Sequence, residues 1–307
     1  MSRSRGTAVA TALLCAALAA AGCGLGPGAD VGAVELTVTR EFGAVPVLNR
    51  GAEASESDTV MRVLEGNAKI ATRYGGGYVQ SIEGVEEAER GGDPYDWFFF
   101  VDGVESPIGA ADFDLGGGER IWWDYRDWSA TNHVPAVVGS WPAPFATGYG
   151  GERHPVALAC EGAGAACAQV RAALERAGAG DLASDSAKGA IRVLVGPWQR
   201  LRSDPAAALL EDGPAESGVY ADFDCAGASC SLTALGQDGK PARQLGPAAG
   251  LVAATRRYEA PPVWLVTGGT PAAVRAAAAL LDRQHLRDHY AVAIEGGKTT
   301  PLPVEGR

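Results

Sequence analysis

Glycine and proline divide this chain into short segments, and that division is the strongest constraint on its fold. The 307 residues include 42 glycines and 18 prolines, spread along the chain without a repeat. Both residue types interrupt helices and strands, so the sequence predicts many short elements. Because 47% of the residues are hydrophobic, the chain can still fill a sizeable core, and a disordered or fibrous chain is excluded. The length suits two domains.

The first 22 residues have the pattern of an export signal. Arg3 and Arg5 precede an uncharged, mostly apolar stretch that leads to Cys23. A basic start followed by an apolar run of this length is typical of a signal peptide, and the run is too short to span a bilayer as a helix. Residues 18–23, Leu-Ala-Ala-Ala-Gly-Cys, resemble the lipobox of bacterial lipoproteins. The alternative is an ordinary secretory peptide that is cleaved after Gly22 or later.

The lipobox resemblance implies a lipid anchor on the extracytoplasmic side of the cell membrane. Residues 1–22 would be removed, Cys23 would carry the lipid, and residues 23–32 would form a flexible tether. Loss of Arg3 and Arg5 takes the formal net charge from −11 to −13. A surface this acidic is not attracted to an anionic membrane, and it also argues against a nucleic-acid partner.

Four cysteines remain for the mature chain once Cys15 and Cys23 are set aside. An oxidising compartment favours disulfides, and among the three pairings of four cysteines we expect the local ones. These pairs are Cys160 with Cys167 and Cys225 with Cys230. A zinc site is the alternative, although these spacings are not the usual ones for zinc ligands. No metal and no other cofactor is predicted.

Residues 33–128 are predicted to form an α+β domain, a small mixed sheet with one helix. Residues 34–39 alternate between apolar and polar side chains, which indicates a half-buried strand. Ser57 and Asp58 offer an N-cap before apolar residues with helical spacing over 60–64, which predicts a short amphipathic helix. Further strands are predicted at 45–48, 78–82, 97–101 and 120–125.

Residues 155–300 are predicted to form a second domain, a layered α/β sandwich with a mixed sheet. Strand–helix–strand patterns occur at both ends of it, and a long Ala-rich helix is expected from Pro271 to about Leu286. Residues 129–154, between the domains, are rich in proline and glycine but carry many apolar side chains. We therefore expect an ordered linker that packs along one or both domains.

The first domain resembles the transcobalamin-like C-terminal domain family, known in bacteria mainly as a domain of unknown function. Five segments carry the resemblance in order along the chain, at residues 35–43, 58–64, 76–84, 97–103 and 120–125. In the vertebrate cobalamin carriers this domain covers one face of the bound corrinoid. The resemblance implies that residues 77–81, the start of the strand at Trp97 and residues 125–128 face a ligand. It places the ligand contacts at Tyr78, Ser81, Trp97, Phe99, Tyr125 and Trp128.

The aromatic residues of this domain also suggest a binding surface, independently of the resemblance. Trp97 and Phe99 face one side of their strand, and Phe98 and Phe100 face the other. One face can fill the core against the helix. The other face requires a ligand, a protein partner, or the linker and second domain.

Motifs that suggest an enzyme are weak in this chain. Residues 162–167, Gly-Ala-Gly-Ala-Ala-Cys, follow a strand and open a helix like a dinucleotide fingerprint, but the third position is Cys167. His285 and His289 lack the glutamate that a zinc protease requires. We therefore expect no enzyme, but an extracytoplasmic lipoprotein that binds a small ligand such as a corrinoid and delivers it to an importer. The alternative is an envelope module with a structural role or a protein partner.

Overall fold

The computed structural model describes residues 28–86, 89–90, 93–185, 187–227 and 229–305. The predicted signal peptide, Cys23 and the first part of the tether lie outside these residues. Within the described ranges, no helix is long and apolar enough to cross a membrane. The elements are short strands and a few short helices, which confirms the predicted α+β class.

Strands and helices are numbered here in chain order. The strands are β1 (Asp30–Arg40), β2 (Val45–Ser55), β3 (Ile70–Arg73), β4 (Tyr78–Ile82), β5 (Val85–Glu86), β6 (Glu89–Arg90), β7 (Asp93–Val101), β8 (Val104–Glu105), β9 (Arg120–Asp127), β10 (Val156–Cys160), β11 (Ile191–Pro197), β12 (Ala221–Ala226), β13 (Ser229–Leu235), β14 (Pro241–Gln244), β15 (Gly250–Thr255), β16 (Val263–Gly268), β17 (Ala291–Glu295) and β18 (Lys298–Leu302). The α-helices are α1 (Val60–Asn67), α2 (Ala143–Ala146), α3 (Gly164–Arg176), α4 (Trp198–Leu201), α5 (Pro214–Ser217), α6 (Pro271–Ala278) and α7 (Arg283–Leu286).

The N-terminal unit, residues 30–128, is built on a sheet with the strand order β2-β1-β9-β7-β6, and β8 also pairs with β7. β1 and β9 run parallel, and the other neighbouring strands run antiparallel. The N-cap of helix α1 is Thr59 and not the predicted Ser57 or Asp58, because the Thr59 side chain accepts a hydrogen bond from the N–H of Arg62. Apolar residues of α1 and of the small sheet β3-β4-β5 pack on one face of the large sheet and form its core.

The C-terminal unit, residues 156–304, is built on a sheet with the order β10-β11-β16-β15-β17-β18. β10, β11 and β16 are parallel, whereas β15, β17 and β18 join antiparallel. Helices α3 and α6 cover one face through Val170, Leu174 and Val274. The opposite face is covered by the sheet β12-β13-β14 and by Trp198. This arrangement is the layered mixed sheet that the sequence pattern predicts.

Two elements differ from the sequence-based prediction. The predicted single helix from Pro271 to about Leu286 is interrupted between α6 and α7. Asp282 starts α7 as its N-cap, because its side chain accepts the N–H of His285 at 2.9 Å and satisfies a donor of the new first turn. In the N-terminal unit, β2 continues well beyond the predicted residues 45–48, since it pairs with β1 as far as Ser55.

The second face of the N-terminal sheet packs against the C-terminal unit. Phe100 and Trp122 belong to the same apolar cluster as residues of the C-terminal sheet. The Tyr290 ring lies 5.3 Å from that of Trp122 and 5.1 Å from that of Phe42, measured between centroids. The sequence alone allowed a ligand, a protein partner, or the linker and second domain to cover this face. In the structure, the C-terminal unit packs against it.

The connecting segment, residues 129–154, packs against both units. The N–H of Val137 donates to the carbonyl of Gly103 at 2.9 Å, and the N–H of Val138 donates to the carbonyl of Tyr290 at 3.2 Å. Trp141 and Phe145 lie in the core beneath α3 and α6, with the Phe145 ring 4.9 Å from that of Trp264. These contacts bury apolar side chains of the segment against both units.

Candidate functional site

β7 brings three consecutive aromatic residues, Trp97, Phe98 and Phe99, to an edge of the N-terminal sheet. On one side β7 pairs with β9 from Tyr95 to Val101. On its other side, among the described residues, β6 pairs only with its start and β8 only with its end. The middle of β7 therefore faces residues that are remote in sequence.

A cleft of about 610 Å³ opens beside this part of β7. We call it the aromatic cleft. Its walls come from β7, from the segment after β8, from the connecting segment and from the loop after β15. Its lining includes Trp97, Phe98, Phe99, His133, Arg256 and Tyr258. Volume and lining are in the range of small-molecule sites, which are mostly apolar with a few polar groups.

A second cleft of about 370 Å³ borders the aromatic cleft. The two clefts share Glu105, Ser106, Pro107 and Arg256 as lining residues. The second cleft continues past Ile108, which is 48% exposed, towards Tyr149. The two clefts are therefore neighbours on the same side of the protein.

Packing in the core fixes two aromatic side chains of the cleft wall, Trp97 and Phe99. The Trp97 ring lies 5.1 Å from the Tyr125 ring, and the Phe99 ring stacks on Trp123 at 4.8 Å. Asp96 adds polar support, since it accepts the Tyr78 hydroxyl at 2.6 Å and the N–H of Trp97 at 2.7 Å. Trp97 and Phe99 are therefore held in place before any ligand arrives.

The structure brings two of the six predicted ligand residues into the aromatic cleft, Trp97 and Phe99. Tyr78 supports them through Asp96. Tyr125 is fully buried in the core of the N-terminal unit, and Ser81 is buried on β4. Trp128 is 39% exposed and lies outside the lining of the cleft. A direct ligand contact at all six positions stays a prediction.

An ion pair between His133 and Glu105 lies at the junction of the two clefts. Glu105 also accepts the N–H of Val134 at 3.1 Å, and its side chain is 11% exposed against 61% for His133. The hydrogen bond to Glu105 raises the pKa of His133, and burial and the charges of Arg126 and Arg256 oppose that rise. The pair places a protonatable group at the cleft.

Arg256 and Tyr258 form the wall of the aromatic cleft opposite β7. The Arg256 guanidinium donates to the carbonyl of Ala260 at 2.6 Å and to that of Glu259 at 3.0 Å, so it fixes its own loop. Tyr258 is 84% exposed, although large aromatic side chains are usually covered. Its ring is available to a ligand in the cleft.

A third cleft is larger, about 930 Å³, but its chemistry is different. It lies between Asp127 and the β13–β14 hairpin, and charges of both signs line it, including Asp238, Lys240 and Lys298. Apolar surface supplies most of the binding free energy in small-molecule sites. The aromatic cleft is therefore the better candidate.

Both predicted disulfides are present, so the zinc alternative for these cysteines is wrong. Cys160 is bonded to Cys167, and Cys225 is bonded to Cys230 across the β12–β13 hairpin. The first bond closes the glycine turn that resembles a dinucleotide fingerprint. In the described part of the chain, no group of three or more His, Cys, Asp or Glu side chains is placed to hold a metal.

Sequence reasoning missed several residues of the aromatic cleft, namely Phe98, His133, Arg256 and Tyr258. The alternation along the strand places Phe98 on the face opposite Trp97 and Phe99 and does not mark it as a ligand contact. The other three lie in the connecting segment and in a loop of the second unit, where no periodicity or motif marks them. Only the packing of the two units brings them to β7.

Comparison with known proteins identifies one part of the chain. Residues 57–127 match a family described as a domain of unknown function (DUF4430). The match runs from three residues before α1 to the end of β9, within the N-terminal unit. No curated protein matches the chain.

Proposed function

We propose that this protein is a membrane-anchored extracytoplasmic lipoprotein that binds a small ligand in the aromatic cleft. A corrinoid is the first ligand to test, and delivery to an importer is the role that follows from binding at the membrane. The proposal is for binding without catalysis. The observation that carries it is a cleft of about 610 Å³ with three consecutive aromatic residues, Trp97, Phe98 and Phe99, on one wall.

The matched family supports the corrinoid as the first ligand. DUF4430 is associated with transcobalamin-like domains, and the match covers β7 and β9, which carry the aromatic wall. In a cobalamin carrier of two domains, this kind of domain covers one face of the ligand. Here the loop with Arg256 and Tyr258 supplies a second wall from the C-terminal unit. A ligand between these walls would be covered on two sides.

The disulfides support a location outside the cytoplasm. Cys160–Cys167 and Cys225–Cys230 both require an oxidising compartment to form and persist. The basic start, the apolar stretch and Cys23 in the sequence are the reason to propose a lipid anchor as well. Labelling of cells with radioactive palmitate tests the anchor, and Cys23→Ala is expected to abolish the label.

Titration with cyanocobalamin and with cobinamide tests the ligand. The full chain, purified in detergent, is expected to shift the visible absorbance of at least one of these corrinoids with saturation at micromolar concentration. Tyr258→Ala is the informative variant, because Tyr258 lines the cleft and is 84% exposed, so its loss leaves the core intact. We expect it to weaken binding about tenfold, as loss of a stacking aromatic does.

Tyr74→Ala is the matched control for Tyr258→Ala. Tyr74 is 85% exposed and, like Tyr258, has a positive φ, 53° against 52°, but it lies outside the lining of the cleft. The control is expected to bind like the natural protein. Absence of any absorbance change up to high micromolar corrinoid would rule out the corrinoid, and equal losses in both variants would rule out the aromatic cleft as its site.

A further inference from the structure

Arg126 lies directly behind the wall of the aromatic cleft. Its guanidinium carbon is 3.8 Å from the centroid of the Phe98 ring, and Phe98 lines the cleft. The two residues sit on neighbouring strands, Arg126 on β9 and Phe98 on β7. Phe98 therefore separates the guanidinium from the space of the cleft.

The Arg126 guanidinium is fully buried and only partly hydrogen-bonded. Nη1 donates to the carbonyls of Thr131 at 2.8 Å and of Asp127 at 3.2 Å. Nε and Nη2 have no hydrogen-bond partner, although the side chain is 0% exposed. Buried polar groups in folded proteins are nearly always paired, so unpaired donors on a buried cation indicate a missing partner.

The nearby carboxylates do not supply that partner. Among the described residues, none has a carboxylate oxygen within 4.0 Å of the Arg126 guanidinium nitrogens. Asp124 accepts hydrogen bonds from Thr39, Gly43 and Tyr290 instead. Asp127 accepts the N–H of Ser129 at 2.7 Å. Both acids accept their hydrogen bonds from other donors, and the charge of Arg126 acts on Asp124 only through space, where it opposes the rise in pKa that burial causes.

The positive charge of Arg126 reaches the cleft. The charges of Arg126 and Arg256 both oppose the rise in the pKa of His133, which lines the cleft. Arg256 lines the cleft itself and uses Nε and Nη2 on the carbonyls of its own loop. Two guanidinium groups, one of them behind the wall, and one imidazole therefore lie beside the cleft, whose lining also includes the carboxylates of Glu105 and Glu259.

We infer that the ligand of the aromatic cleft carries an acidic oxygen group, a carboxylate or phosphate, which Arg126 binds through Nε and Nη2. The inference rests on the proposed function of the cleft. Phe98 has to rotate about its side-chain bonds for the group to reach the guanidinium. The Nε–Nη2 edge of a guanidinium presents two adjacent N–H donors, which fit two oxygens of such a group. This bidentate geometry distinguishes arginine from lysine, which acts as a point charge.

Binding of 2-naphthoate and 2-naphthamide to the full chain in detergent, measured by calorimetry, tests the inference. The two probes share an aromatic ring and differ in the acidic group. We expect the naphthoate to bind at least tenfold more tightly than the amide. Arg126→Met is expected to abolish that preference and to fold, because an apolar side chain of similar length replaces a buried unpaired charge. Arg126→Lys, which keeps the charge but loses the fork, is expected to reduce the preference.

Arg171→Gln is the control, because Arg171 is exposed on α3 and should leave the preference unchanged. Equal binding of both probes by the natural protein would overturn the inference and leave the aromatic cleft as a site for neutral ligands. If neither probe binds, the unfolding temperature in sodium acetate is compared with that in sodium chloride of equal ionic strength. Stabilisation by acetate that Arg126→Met loses supports the inference, and equal stabilisation of both proteins overturns it.

Discussion

The hydroxyl of Tyr290 donates a hydrogen bond of 3.0 Å to Oδ2 of Asp124, and this bond joins the two units of the protein. Tyr290 directly precedes β17 of the C-terminal unit, and Asp124 lies on β9 of the N-terminal unit. Thr39 and the N–H of Gly43 donate to Oδ1 of the same carboxylate. Burial raises the pKa of Asp124, and these hydrogen bonds oppose the rise. The Asp124 carboxylate thus accepts hydrogen bonds from both units.

Replacing Tyr290 by Phe tests the contribution of this bond to stability. The change removes the hydroxyl and keeps the ring contacts with Phe42, Phe100 and Trp122. We expect the free energy of unfolding to fall by about 1–3 kcal/mol, because a buried acceptor loses one donor. Urea denaturation measures the change. Tyr258→Phe, at an 84% exposed position, should change the value by less than about 0.5 kcal/mol, and equal effects would contradict the prediction.

Gly43→Ala is expected to disturb the contact between the two units. Gly43 has φ +87°, and a Cβ atom there would overlap the carbonyl oxygen of Asp288 in the C-terminal unit. Gly150 is the matched control, since it has φ +63° with nothing within 4 Å of an added Cβ. We expect Gly150→Ala to cost about 1 kcal/mol through backbone strain alone. Gly43→Ala should cost at least about 2 kcal/mol more in the same urea measurement.

The stability of the protein is expected to depend on the protonation of Asp102. This residue has φ +53° and accepts the N–H of Arg120 at 2.9 Å. Burial raises its pKa to about 7; the hydrogen bond from Arg120 opposes the rise, and Glu119 adds to it. The folded protein therefore holds a proton that the unfolded chain releases near pH 4. Asp102 therefore contributes its full stabilisation below about pH 4, and this contribution is lost as the pH rises through 7.

Asp102→Asn tests this dependence. Asparagine keeps the acceptor oxygen and tolerates a positive φ, so the turn is preserved. We expect the variant to exceed the natural protein in free energy of unfolding at pH 8 by up to about 4 kcal/mol, and to match it near pH 4. Urea curves across this range measure the difference. Asp222→Asn, at an exposed position on β12, should show no such trend. A constant difference at all pH values would contradict the prediction.

Each disulfide is expected to contribute separately to stability. The bonds Cys160–Cys167 and Cys225–Cys230 close loops with separations of seven and five residues. Closing loops of this size stabilises a fold by about 2–3 kcal/mol through the entropy of the unfolded chain. Replacing both cysteines of one pair by alanine should lower the free energy of unfolding by that amount. Addition of dithiothreitol should then destabilise each variant less than the natural protein, and an undiminished effect of the reductant would contradict the assignment.

Local patterns predicted much of the secondary structure because their cause is local. The alternation at 34–39 lies within β1, and the helical spacing over 60–64 lies within α1. The predicted helix at 271–286 is longer than the observed one, and the reason for this difference is also local. Aspartate can occupy a helix interior, but it favours the N-cap position. The sequence alone does not show which of these two positions Asp282 occupies, and in the structure it is the N-cap of α7.

The candidate site was less accessible to sequence reasoning. Trp97 and Phe99 were identified from the family resemblance and line the aromatic cleft. The other lining residues are remote in sequence. His133 lies 34 residues after Phe99, and Tyr258 lies 161 residues after Trp97. No pattern within a window of ten or twenty residues contains that relationship. Tertiary packing alone creates it.

The sequence by itself determined the short strands, the local cysteine pairs and the two opposite faces of the strand at Trp97. These features depend on the alternation of side chains and on spacing along the chain. The tertiary structure decided what covers each face: α1 and its core lie over Trp97 and Trp123, and the C-terminal unit lies over Phe100 and Trp122. The physical reason is that burial of apolar surface is non-directional, so an apolar face requires a cover, but only the packing of whole units selects which one.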